Sequence, residues 1–82
     1  MSYEKVAQAT NKVIGTKQTV KALEHQQVKE LIVAEDADRH VLDKALQIAS
    51  DSQVGISWVD SMKKLGKACG IDVGAAIVAI KK

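Results

Sequence analysis

Apolar positions along this chain change spacing repeatedly, and the changes mark out its elements. Tyr3, Val6 and Ala7 predict a short first helix ending near Thr10. Val13-Ile14 is a strand-like pair. Gly15-Thr16 turns the chain into a second helix, with Thr16 placed to cap its first free N–H groups and Val20 and Leu23 on its apolar side. Within 28–34, the unbroken run Leu31-Ile32-Val33-Ala34 predicts a strand buried on both faces. Glu35-Asp36-Ala37-Asp38 reads as a turn, with Asp38 as N-cap of the next helix. Val41, Leu42, Ala45, Leu46, Ile48 and Ala49 then recur at helical spacing to about Ser52.

Gly55 interrupts that pattern, and Ile56-Ser57-Trp58-Val59 predicts a strand with Trp58 in the core. Ser61 can cap a last helix that sets Met62, Leu65 and Cys69 on one side and Lys63, Lys64 and Lys67 on the other. Gly70 stops it, and Ala75 to Ile80 forms a final strand. The order α-β-α-β-α-β-α-β predicts an α/β fold: one sheet with helices on both faces, a three-layer sandwich spanning residues 1–82 as a single domain. The pattern leaves strand directions open.

Composition narrows the function. The apolar fraction of 46% is too high for a disordered chain. It comes from aliphatic residues and alanine: there is no Phe, one Tyr and one Trp, which argues against modules that stack several bases on aromatic rings. The single Cys69 excludes an internal disulfide, and Met1-Ser2-Tyr3-Glu4-Lys5 lacks an export-leader pattern. Both predict a cytoplasmic setting. The longest apolar run, Ala75 to Ile80, is too short to span a bilayer. His25 and His40 lack metal-ligand spacing and read as surface residues, and Cys69 falls on the apolar side of its helix. Turn and cap roles account for Asp36 and Asp38, and no nucleophile–base or paired-carboxylate site stands out, so neither an enzyme nor a cofactor is expected.

Charge is unevenly distributed. Residues 1–34 carry five lysines and three glutamates (+2), residues 35–60 two bases and six acids (−4), and residues 61–82 five lysines and one aspartate (+4). If the ends meet in space they make a basic face, the footprint of a polyanion partner, although a mixed surface has the same totals.

Two segments carry candidate chemistry. In Gly15-Thr16-Lys17-Gln18-Thr19-Val20-Lys21, a glycine before a helix start admits close backbone approach, and Lys17 and Lys21 lie one turn apart with Gln18 bordering their stripe. Lysine donates to guanine O6 and N7, and a glutamine amide both donates and accepts at a base edge. An ordinary solvated helix face has this pattern too. In Leu65-Gly66-Lys67-Ala68-Cys69-Gly70-Ile71-Asp72-Val73-Gly74, a helix stop and a tight turn explain Gly70 and Gly74 but not the apolar Ile71 and Val73. An apolar corner beside lysines suits an unstacked nucleobase next to a phosphate backbone.

In this order and spacing, with Val33-Ala34-Glu35-Asp36-Ala37-Asp38 between them, these motifs resemble the ribosomal protein L-seven-Ae superfamily of kink-turn RNA binders, and most of all its small bacterial members of the YbxF type. The resemblance covers essentially the whole chain. It implies an α-β-α sandwich around a small, four-stranded mixed sheet. It implies a monomeric, non-enzymatic protein that binds a sharply bent RNA with tandem sheared G·A pairs and a flipped-out nucleotide, in ribosomal RNA, a riboswitch or a messenger leader. Lys17, Gln18 and Lys21 would face the G·A guanines, with Gly15 and Thr16 near the backbone. Asp38 and the loop Ile71, Asp72, Val73 and Gly74 would surround the flipped nucleotide. Lys17-Gln18 replaces the Asn-Glu of many archaeal members, and Arg39 and Met62 replace a common proline and lysine. The other reading, a protein-interaction module of the same superfamily, would use the acidic helix from about Arg39 to Ser52.

Overall fold

The computed structural model describes residues 2–82. Its elements follow the predicted order: α1 (Ser2–Gln8), β1 (Lys12–Ile14), α2 (Thr16–Glu24), β2 (Val28–Ala34), α3 (Arg39–Asp51), β3 (Gly55–Val59), α4 (Met62–Ala68) and β4 (Ile77–Lys81). The four strands form one mixed sheet in the order β1-β4-β2-β3. β4 runs antiparallel to both β1 and β2, and β2 runs parallel to β3. Helices α2 and α3 pack together, as do α1 and α4, which gives the three-layer α-β-α sandwich.

The unbroken apolar run of β2 is what a covered strand requires. Leu31, Ile32, Val33 and Ala34 alternate between faces, and all are fully buried because helices cover both sides. Leu23 from α2, Leu42, Ala45 and Ala49 from α3, Leu65 from α4 and Val6 from α1 complete the core. Ala45 and Ala49 are buried on α3, whose main packing partner is α2.

Local chemistry sets the helix starts, with one departure from expectation. The Asp38 side chain accepts from the His40 N–H at 2.9 Å, and the Ser61 hydroxyl accepts from the Lys64 N–H at 3.3 Å, so both predicted caps form. Thr16 does not cap α2. Gly15 is the N-cap residue, makes no side-chain cap, and has φ 98 and ψ 155. The chain turns from β1 into α2 at this one residue, in a conformation suited to glycine, and Thr16 is already helical. Trp58 also differs. It is 38% exposed, on β3, an edge strand of the sheet. The first helix is shorter and the last strand starts later than apolar spacing implied: Ala9 and Thr10 lie outside α1, while Ala75 and Ala76 lie in the connection before β4.

Helix α1 is tied down by side chains. The Tyr3 hydroxyl donates to the Asp60 carboxylate and accepts from the Ser61 N–H at 3.2 Å. That hydrogen bond, with Lys64 beside it, holds the Asp60 carboxyl below its ordinary range. On the same side of the molecule Glu30 accepts from the Ser57 hydroxyl and pairs with Lys5 at 3.2 Å. The Ser57 bond is the main reason its carboxyl titrates low.

Candidate nucleic-acid interface

Strand directions gather the two candidate segments at one end of the sheet. β1 and β2 finish there and β4, antiparallel to both, begins there. Backbone hydrogen bonds fix the junction. The Gly15 N–H donates to the Ile77 carbonyl at 3.0 Å, and the Ala34 N–H donates to the Ala76 carbonyl at 3.0 Å. The start of α2, the loop before β4 and the end of β2 thus meet within a few residues of one another. β3 ends at the same place, where the Glu35 N–H donates to the Val59 carbonyl at 2.7 Å.

Helix α2 presents two distinct stripes. Thr19, Ala22 and Leu23 are buried; Lys17, Gln18 and Lys21 are exposed. The three candidate side chains therefore share the solvent face, as their spacing predicted. The ion pairs among the described residues are Lys5–Glu30 and Lys64–Asp60. Lys17 and Lys21 have no carboxylate partner, so their ammonium groups are available to a ligand. Just before them, Gly15 has no atom near the position a Cβ would take, which leaves its backbone approachable.

The α4–β4 loop is built on two close approaches. Gly70 has φ 80 and reverses the chain at the end of α4, as predicted. At Gly66 a Cβ would fall on the Val73 carbonyl oxygen. The loop lies directly on the α4 backbone, and the Ile71 N–H donates to the Gly66 carbonyl at 3.1 Å. Gly74 sits against Met62, where a Cβ would lie 3.3 Å from the Met62 Cβ, and the next residue donates its N–H to the Met62 carbonyl at 3.0 Å.

One expectation about this loop is corrected. Ile71 is not an apolar residue without a core to join; it is half-buried and packs against the main cluster. Val73 is 70% exposed, and Asp72 and Gly74 are exposed beside it. Ile71, Asp72 and Val73 line a shallow depression of about 260 Å³ with Lys63 and Lys67. Its loop side carries Ile71 and Val73 with Asp72 between them, and its helix side is basic. Lys63 and Lys67 are i, i+4 neighbours opposite the buried face of α4, in keeping with the apolar corner beside lysines expected from the sequence.

Asp38 stands at the start of α3, exposed, with one carboxylate oxygen accepting the cap hydrogen bond. The tertiary link from this loop comes from Asp36, which accepts from the Met62 N–H at 2.8 Å and so ties the β2–α3 connection to α4. A turn role alone understated that residue. Cys69 is half-buried, and burial pushes its thiol up, away from a reactive thiolate. The lysines and the apolar loop can hold an anion and cover a flat apolar group, but they supply no acid–base pair.

Comparisons with known proteins bear on the family and the fold. The model of the ribosomal protein L7Ae/L30e/S12e/Gadd45 family matches residues 1–82. An RNA-binding protein of Halalkalibacterium halodurans is 65% identical over 82 residues, covering all of both chains. The RNA-binding protein YbxF of Geobacillus stearothermophilus is 59% identical over 80 residues, 98% of each chain. Among solved structures, a Giardia lamblia 15.5kD RNA binding protein superposes with a TM-score of 0.86 at 22% identity, covering 98% of this chain and 68% of its own. At that identity the likeness bears on the fold. No described helix is long and apolar enough to cross a membrane.

Proposed function

Because this chain belongs to the ribosomal protein L7Ae/L30e/S12e/Gadd45 family, we propose that it is a non-enzymatic, monomeric, cytoplasmic RNA-binding protein that recognises and stabilises kink-turns, acting as one domain over residues 1–82. The observation that carries this reading is the meeting of an unpaired lysine stripe and an exposed apolar loop at one end of the sheet, through the Gly15–Ile77 hydrogen bond. Two different chemistries side by side suit a ligand with two different parts.

In the proposed complex, Lys17, Gln18 and Lys21 face the guanines of tandem sheared G·A pairs, with Gly15 and Thr16 against the sugar–phosphate backbone. A-form RNA normally hides its base edges in a deep, narrow groove, but a kink with non-standard pairs opens it to a helix end. Asp38 and the loop from Ile71 to Gly74 surround the flipped nucleotide, with Val73 covering the base and Lys63 and Lys67 near its phosphate. This aliphatic cover takes the part that aromatic rings play in most single-strand readers. The mechanism is capture of the bent state: a protein that binds the kinked form preferentially draws the folding equilibrium of the RNA toward it. The target is a structured RNA, whether ribosomal RNA, a riboswitch or a messenger leader.

Energy transfer between dyes on the two arms of a kink-turn duplex tests this mechanism. Adding protein in the absence of divalent cations is expected to bring the arms together. Binding without arm closure would contradict the mechanism.

A further inference from the structure

Trp58 and Arg39 form an exposed pair that the proposed interface leaves unused. The Arg39 guanidinium lies 4.6 Å from the centroid of the Trp58 ring, and both residues are exposed. Arg39 has Glu35, Asp36 and Asp38 within four residues, yet it takes part in none of the ion pairs or side-chain hydrogen bonds among the described residues. Its charge is held over the ring instead, a contact that leaves its N–H donors free.

The pair adjoins the interface. Arg39 follows Asp38 directly, and Trp58 pairs with Val33 near the end of β2. One residue further along each strand, Ala34 pairs with Val59, whose carbonyl accepts from Glu35. An RNA strand passing Asp38 would meet the Arg39–Trp58 pair next.

We propose that Arg39 and Trp58 form a stacking platform for a second unpaired nucleobase of the bound RNA, outside the site of the flipped nucleotide. This rests on the kink-turn reading above and deepens it. A base stacks on a guanidinium plane as it does on an aromatic ring. Glu35, Asp36 and Asp38 disfavour a phosphate at this place, so the uncharged base rather than its backbone would lie on the pair.

Trp58 is the only tryptophan in the chain, so its fluorescence reports on this place alone. The protein is titrated with a synthetic kink-turn, then with the same RNA carrying an abasic residue at each unpaired position other than the flipped nucleotide in turn. Binding is read separately by gel shift. The parent RNA is expected to quench Trp58, and one abasic substitution is expected to remove the quench and weaken binding about tenfold. Arg39→Ala should give a similar loss with the parent RNA and no further loss with that abasic RNA. Tight binding with unchanged Trp58 emission, or a quench that survives every abasic substitution, would overturn the platform and leave the kink-turn reading standing. No binding of the parent RNA would overturn both.

Discussion

Gly66→Ala is expected to lower stability by about 2 kcal/mol and the thermal midpoint by about 8–16 °C. Two effects oppose each other. Alanine in place of glycine inside a helix favours the helix by about 1 kcal/mol. Against that, the added methyl falls on the Val73 carbonyl oxygen, and an overpacked site costs about 1–3 kcal/mol or more. The obstacle is backbone rather than the flexible end of a side chain, and the loop is anchored just beyond it by the bond between Ala75 and Met62. Relief therefore needs displacement of the whole segment, and the steric term wins. Because that segment is the proposed cover for the flipped nucleotide, RNA affinity should fall with it. Thermal denaturation followed by circular dichroism reads the first effect. An unchanged or raised midpoint would show that the loop does not rest on α4 as described.

Lys21→Ala is expected to weaken kink-turn binding by about 1–3 kcal/mol, the range for losing a side chain that contacts a base. Stability should stay nearly constant, since Lys21 is exposed and holds no carboxylate partner. That separation is what distinguishes it from Gly66→Ala. If Lys21 reads a base, the loss should exceed that for exposed lysines away from the interface, such as Lys44. Gel-shift titration at fixed salt gives the comparison, and equal affinities for Lys21→Ala and the parent protein would remove Lys21 from the site.

Much of this architecture was legible in the apolar spacing. The run from Leu31 to Ala34 announced a strand covered on both faces, and Asp38 and Ser61 announced the starts of α3 and α4 through their ability to accept from backbone N–H groups. Lys17, Gln18 and Lys21 fell on one exposed stripe because helical period alone decides that. The failures had physical causes of another kind. Thr16 was a reasonable cap by residue type, but the tight turn out of β1 put the glycine in the cap position. Trp58 was assigned to the core because large aromatics are usually buried. Its position on an edge strand depends on strand order, which spacing does not encode. Ile71 looked unpartnered because apolar spacing does not show that the loop folds back against the core cluster. The part played by Gly66 was invisible for the same reason: only the fold of the loop brings Val73 onto it. Local chemistry was readable, whereas contacts between distant segments needed the sheet order and the resemblance.

The most direct test of the account compares two RNAs that differ only in their G·A pairs. A kink-turn and the same RNA with those pairs replaced by Watson–Crick pairs are titrated with protein under identical salt, because phosphate contacts alone would bind both. A strong preference for the intact kink-turn is predicted, and equal affinity for the two would contradict the claim that this protein reads the kink.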